Sequence, residues 1–252
     1  MFLEVLYPEN IKCIICNKAI GKNNSYSLCK ECFINLNFIS DGCIKCGKSI
    51  INQTIEEFTQ EQLLYGCPSC LNKSYYFDKA IGCIEYDELS KKIVFGFKYN
   101  NKTFMSRYIA NIINEKIYTE HINYDYILYV PLHKSRERKR GFNQARLISN
   151  ELSKITNIEV LDIINRSKKT ERLFKLKNEE RTKELKNAFS TDDKIRICKN
   201  KKVLLIDDIF TTGSTVNEIS KLLKINGVDK VYVCTFLTRI NCYWHILFKI
   251  LK

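Results

Sequence analysis

The spacing of apolar residues changes character near residue 71. Before that point the chain carries few large apolar clusters and no sustained period. After it the pattern becomes regular. "YYFDKAIGCIEY" (75–86) predicts a strand or hairpin. In "DELSKKIVFGFKY" (87–99), Leu89, Ile93 and Phe97 recur at helical spacing, and the polar "NNK" stops the helix. Phe104, Tyr108, Ile112 and Ile113 mark one face of a helix over 104–118. "YDYILYV" (124–130) predicts a strand, followed by a basic loop and a helix reaching about residue 155. A strand is expected at 158–166, and a helix in "EERTKELKNAF" (179–189). A strand is expected at 201–206, where Val203, Leu204, Leu205 and Ile206 form a continuous apolar run, as in a strand covered on both faces. A helix over 214–226 and a strand over 230–239 complete the series. Strands alternating with helices predict an α/β domain built on a parallel sheet.

Cysteine changes the picture of the first 70 residues. Eight of the twelve cysteines fall there, as four Cys-x-x-Cys pairs: Cys13/Cys16, Cys29/Cys32, Cys43/Cys46 and Cys67/Cys70. Two intervening residues let one tight turn aim both sulfurs at one ion. Two such turns complete a tetrahedral thiolate shell suited to Zn²⁺. Gly47 after the third pair, and Gly66 and Pro68 around Cys67, supply turn chemistry. Two structural zinc ions are expected, and spacing leaves both sequential and cross-braced pairings open. A segment this poor in apolar residues would draw much of its folding free energy from metal. Cys83, Cys198, Cys234 and Cys242 stand alone and are read as small buried hydrophobes or tail residues.

Length and charge set the outer bounds. The 252 residues suffice for one α/β domain and a small module. The expected division is a cysteine-rich zinc-binding module at 1–74, the α/β domain at 75–239, and an amphipathic tail at 240–252. In that tail Trp244, Leu247, Phe248 and Leu251 share a helical face, suited to docking on the domain or to a membrane surface or partner. The formal net charge is +13, which attracts polyphosphates, nucleic acid or acidic lipid. Two basic stretches stand out: Lys134, Arg136, Arg138, Lys139 and Arg140 in one loop, and the run from Arg166 to Lys186. The first, at the carboxyl end of a strand, can meet a pyrophosphate group through Arg140 or grip nucleic-acid phosphates; the second can be a solvated face or a nucleic-acid track, in which only Phe174 offers a stacking ring. His133, in the first loop, is read as polar surface. No signal peptide and no transmembrane span is discernible, so a cytoplasmic location is expected.

"VLLIDDIFTTGSTVNEI" (203–219) carries the most specific chemistry. Gly213 admits backbone close to a ligand, while Thr211, Thr212, Ser214 and Thr215 offer hydroxyls beside a helix N-terminus. That is a cradle for a phosphate dianion. Asp207 and Asp208 would repel such a group, but they suit vicinal sugar hydroxyls and a nearby cation.

A hydrophobic strand, Asp-Asp, two residues, then Thr-Thr-Gly-x-Thr resembles the phosphoribosyl pyrophosphate (PRPP) motif of type I phosphoribosyltransferases. "VPLHKSRERKRGFNQAR" (130–146), "KYNNK" (98–102), and Arg181 with Ala188-Phe189 resemble the ComF family of competence proteins. That family joins a cysteine zinc module to a phosphoribosyltransferase-type domain, and the resemblance runs from Cys13 to about Arg239. It implies a PRPP-binding protein handling single-stranded DNA during natural transformation. Its partners would be competence helicase-type proteins, which would also supply any membrane association. Asp207, Asp208, Thr211, Thr212, Gly213, Ser214, Thr215 and Arg140 would hold PRPP with Mg²⁺. The alternative is an active phosphoribosyltransferase with a nucleobase or other acceptor, in which Asp207, Asp208 and Arg140 would be the catalytic candidates. A third reading is a zinc-mediated assembly adaptor whose pocket is vestigial; the intact aspartate pair argues against it.

Overall fold

A computed structural model describes residues 12–21, 23–50, 66–67, 70, 73–99, 102–167 and 185–239. Its centre is a four-stranded, all-parallel sheet of β1 (Lys79–Glu85), β2 (Tyr126–Tyr129), β5 (Lys202–Phe210) and β6 (Lys230–Thr238). The spatial order is β1-β6-β5-β2. A short helix, α1 (Lys30–Ile34), belongs to the cysteine module. Helices α2 (Ser90–Tyr99), α3 (Met105–Thr119) and α5 (Gln144–Thr156) lie between β1 and β5 in the chain, and α6 (Ser214–Ile225) joins β5 to β6. Alternation along β5 builds two cores. Leu204 and Ile206 pack with Ile93, Phe97, Ile113 and Ile148 of α2, α3 and α5. Val203 and Leu205 pack with Val216, Ile219 and Leu223 of α6. Burial on both faces explains the unbroken apolar run of this strand.

Several expectations are corrected. The strand expected at 158–166 is not continuous: Val160 makes a single parallel bridge to Ile127, and the chain then turns away. Ile164–Arg166 (β3) instead pairs antiparallel with Phe189–Thr191 (β4) in a separate small sheet. The strand expected to end at 206 runs to Phe210, because β6 continues pairing through Phe210↔Thr238; both aspartates therefore lie in β5 itself. The basic loop is a helix, α4 (Lys134–Arg140). His133 caps it, accepting at Nδ1 from the Ser135 amide at 3.2 Å, and Gly141 ends it at φ 86°. Arg138, Lys139 and Arg140 occupy its last turn, where cations favour the helix dipole. The helix expected at 179–189 falls largely outside the described residues, as do the tail at 240–252 and Cys242. No helix among the described residues is long and apolar enough to cross a membrane.

The cysteine module is built onto the sheet rather than tethered to it. Its first half contributes Cys13, Ile14, Leu28, Cys29 and Leu36 to the core beneath α2 and α3, and its second half joins the opposite core. Its backbone completes the free edge of β1. Ile39 donates to Cys83, Ala80 donates to Lys45, and Glu85 donates to Asn37, each at 2.9 Å. The backbones approach closely where Gly47 meets β1: a Cβ on Gly47 would lie 2.6 Å from the Ala80 carbonyl oxygen and 2.7 Å from the Gly82 nitrogen.

Candidate functional site

The cysteines group sequentially: Cys13, Cys16, Cys29 and Cys32 form one set, and Cys43, Cys46, Cys67 and Cys70 the other. Within each set all four sulfurs lie within 4.8 Å of one another. Individual separations of 3.4 Å (Cys46–Cys67), 3.5 Å (Cys43–Cys70) and 3.6 Å (Cys16–Cys29) exclude disulfides, whose S–S length is about 2.05 Å. They approach the sulfur spacing of about 3.8 Å set by a tetrahedron with Zn–S bonds of about 2.3 Å. Both sets therefore fit structural zinc, and a closed shell of four thiolates leaves no open position for catalysis. The two knuckles repeat one geometry. Cys13 and Cys43 donate to Lys18 and Lys48 at 2.8 and 2.7 Å, and Asn17 and Gly47 donate back to the Cys13 and Cys43 carbonyls at 2.9 Å. Asn17 and Gly47 hold the same left-handed φ, 61° and 66°. Asparagine tolerates that conformation, but only glycine also fits against β1.

Cys198 has a different environment. It is buried in the core and belongs to neither set, and burial pushes its thiol up to about 11. Cys83 and Cys234 face each other from β1 and β6 with sulfurs 3.9 Å apart.

The β5–α6 turn lies at the carboxyl end of the sheet, where open α/β sheets bind ligands. Gly213 enters α6 at φ 78°, and a Cβ there would strike the Phe210 ring at 2.6 Å. This tight turn brings the Thr212 and Ser214 hydroxyls within 2.9 Å of each other, at the amino end of a twelve-residue helix. Hydroxyls, free amides and the positive helix end make an anion cradle.

Two cations that the local sequence does not reveal flank the aspartates. Lys98, in the last turn of α2, pairs with Asp208 at 2.5 Å, with both side chains 17% exposed. Arg166, at the end of β3, is 8% exposed, lies over the Phe189 ring at 5.3 Å, and acts electrostatically on Asp207. Arg166 thus belongs to this centre rather than to a solvated basic track; Lys168 to Lys183 lie outside the described residues. Desolvation, reinforced by repulsion from Asp208, pushes the Asp207 carboxyl up to about 7. A hydrogen bond from the Asp208 amide (2.8 Å), Lys98 and Arg166 oppose that rise.

The stability consequence has a definite sign. A carboxyl whose folded pKa exceeds its unfolded value of about 3.9 costs the fold nothing while protonated, and the cost appears as pH rises through that interval. Asp207→Asn keeps the acceptor for the Asp208 amide and removes the charge. It is expected to raise the thermal midpoint of the zinc-loaded protein by about 5–10 °C at pH 8, and by about half as much at pH 5.5, by scanning calorimetry.

The segment 140–144 proves to be largely a tie. Asn143 caps α5, accepting from the Arg146 amide at 3.3 Å, and its Nδ2 donates to the Val130 carbonyl at 3.0 Å. Arg140 donates to Gln144 Oε1 and lies 5.7 Å over the Tyr99 ring. Tyr99 follows Lys98 directly, so α2 links Arg140 to the aspartate pair.

Residues 2–71 match the double zinc ribbon domain, and residues 138–251 match the phosphoribosyl transferase domain. Competence protein F of Haemophilus influenzae is 32% identical over 236 residues, covering 89% of this chain and 95% of that protein. Competence protein ComFC of Streptococcus pneumoniae is 28% identical over 88% of this chain and 97% of its own length. DNA utilization protein YhgH of Escherichia coli K12 is 27% identical over 66% of this chain and 75% of its own length. With both domains matched in order and the Haemophilus relative aligned across nearly its full length, the chain belongs to the ComF family of competence proteins.

Proposed function

We propose that the chain is a competence-associated protein that binds PRPP or a related phosphoribosyl compound and handles single-stranded DNA during natural transformation. The observation that carries the reading is the pairing, in one β5–α6 unit, of two adjacent carboxylates with the Thr211–Thr215 anion cradle. In this reading Asp207 and Asp208 accept hydrogen bonds from the ribose diol. Thr211, Thr212, Ser214 and Thr215, with the α6 amides and the close approach allowed by Gly213, hold the 5-phosphate. Arg140 meets the pyrophosphate. Carboxylate and phosphate oxygens are the hard donors that Mg²⁺ prefers, and the ion would offset the charge of the polyphosphate. Lys98 holds Asp208 before ligand arrives and can turn to phosphate oxygens afterwards. Because the Asp207 carboxyl sits near 7, diol binding weakens as pH falls below that value. The names of the relatives, competence proteins and a DNA utilization protein, support the DNA-handling part. In this reading its partners are competence helicase-type proteins.

The test is calorimetric titration of the zinc-loaded protein with Mg-PRPP. Wild type should bind, and Asp207→Asn with Asp208→Asn should lose measurable binding while retaining its zinc. A double variant that titrates like wild type would place the ligand elsewhere.

A further inference from the structure

We propose that the exposed face joining α2 to the end of α4 is a binding site for single-stranded DNA. The proposal deepens the DNA-handling reading above and rests on it. On α2, Lys92, Phe95 and Tyr99 follow at i, i+3 and i+7 and so share one side of the helix. The opposite side buries Ile93, Val94 and Phe97 in the core. Phe95 is 56% exposed and Tyr99 63% exposed, and their rings lie 4.9 Å apart at 46°. The pair leaves more than half of each ring open to water, a large apolar area that a base could cover by stacking.

The charge beside them indicates what that is. Arg140 already lies over the Tyr99 ring, which joins α4 to the aromatic pair. Arg138 and Lys139 precede it in the last turn and are exposed. Five of the seven residues of α4 are basic and one is acidic, and none is buried. Single-strand binders combine a basic track for the backbone with rings for successive bases. Here the two halves come from helices some 40 residues apart in the chain, so neither stretch carries the full pattern alone. An acidic protein surface would satisfy the cations but would not need the paired rings, and duplex DNA keeps its bases stacked inside. The site adjoins the phosphoribosyl turn, because Tyr99 and the Asp208 partner Lys98 are consecutive residues.

The test uses zinc-loaded full-length protein and a labelled oligo(dT), read by fluorescence anisotropy. Phe95→Ala with Tyr99→Ala should weaken binding about thirtyfold or more. Phe95→Ala alone should weaken it less and leave the calorimetric Mg-PRPP titration unchanged. Tyr118→Ala, which removes a ring that is 79% exposed on α3, should have no effect on oligo(dT). Arg138→Ala with Lys139→Ala should flatten the dependence of log K on log salt by about 1.4, for two phosphates released. Wild-type affinity in the Phe95/Tyr99 double variant would overturn the assignment of this face while leaving DNA handling intact. Failure of the wild type to bind oligo(dT) would overturn the DNA-handling reading, and this inference with it.

Discussion

Replacing Cys43 and Cys46 together by serine is expected to lower the zinc content from about two ions per chain to about one, and to remove most of the protein from solution. The second metal set is part of the domain core: Cys43, Cys46, Cys67 and Cys70 belong to the same buried cluster as Phe77, Ala80 and the strand residues Val203 and Leu205. Structural zinc contributes an apparent 10–16 kcal/mol or so, comparable with or larger than the roughly 5–15 kcal/mol that stabilises a whole domain. The loss is therefore global rather than local. It also frees the β1 edge, whose Ala80 amide is held by the carbonyl of Lys45 between the two cysteines. An exposed parallel edge is a template for pairing between chains. Cys198→Ala supplies the contrast, since it removes a buried thiol outside both sets and should cost only about 1 kcal/mol with both zinc ions retained. Metal analysis and the soluble fraction after expression check both outcomes. Full solubility with one zinc would show that the second knuckle is not coupled to the sheet.

Gly47→Ala should destabilise by about 3 kcal/mol or more without touching a metal ligand. The left-handed φ of 66° costs an alanine about 1 kcal/mol. The greater penalty is steric: the new methyl would meet backbone atoms of Ala80 and Gly82 at 2.6–2.7 Å, and backbone cannot step aside as a flexible side chain could. The knuckle must lift from β1, and the thermal midpoint should fall by about 6–12 °C. Asn17→Ala, at the matching position of the first knuckle, should cost only the conformational penalty of about 1 kcal/mol, a fall of about 2–4 °C, because it shares the φ of Gly47 without the approach to β1. Equal effects of alanine at the two positions would show that conformation rather than the close approach to β1 sets the requirement.

The parts of the molecule legible in the sequence are those written locally. The aspartate pair and the Thr-Thr-Gly-Ser-Thr turn occupy nine consecutive positions, 207–215, and each residue's chemistry follows from the strand before it and the helix after it. Each cysteine pair is likewise local, but how the pairs combine is not, and only the folded knuckles select sequential sets. Lys98 and Arg166 are hidden among many basic residues. What distinguishes them is burial beside Asp207 and Asp208, and that depends on where α2 and β3 end in space. Helix α4 escapes a sequence reading because its run of cations looks like solvated loop, while its cap depends on a histidine, an uncommon choice. The split of 158–166 reflects tertiary pairing overriding strand propensity: β4 offers a partner that the main sheet's edge, beyond one bridge at Val160, does not.

The register of β1 also bears on how the chain assembles. Lys79 aligns with Tyr232 and Glu85 with Thr238, so the inner neighbour of β1 is β6, the last of the described strands in chain order. As a nascent chain leaves the ribosome, N-terminal segments emerge first. The ribbon residues Asn37, Ile39 and Lys45 come out just ahead of β1 and can pair with its outer side well before β6 exists. Metal capture at the start of translation thus supplies a scaffold on which a fold of long sequence separation can close, and scarcity of the ion would be felt during synthesis, before any ligand is met.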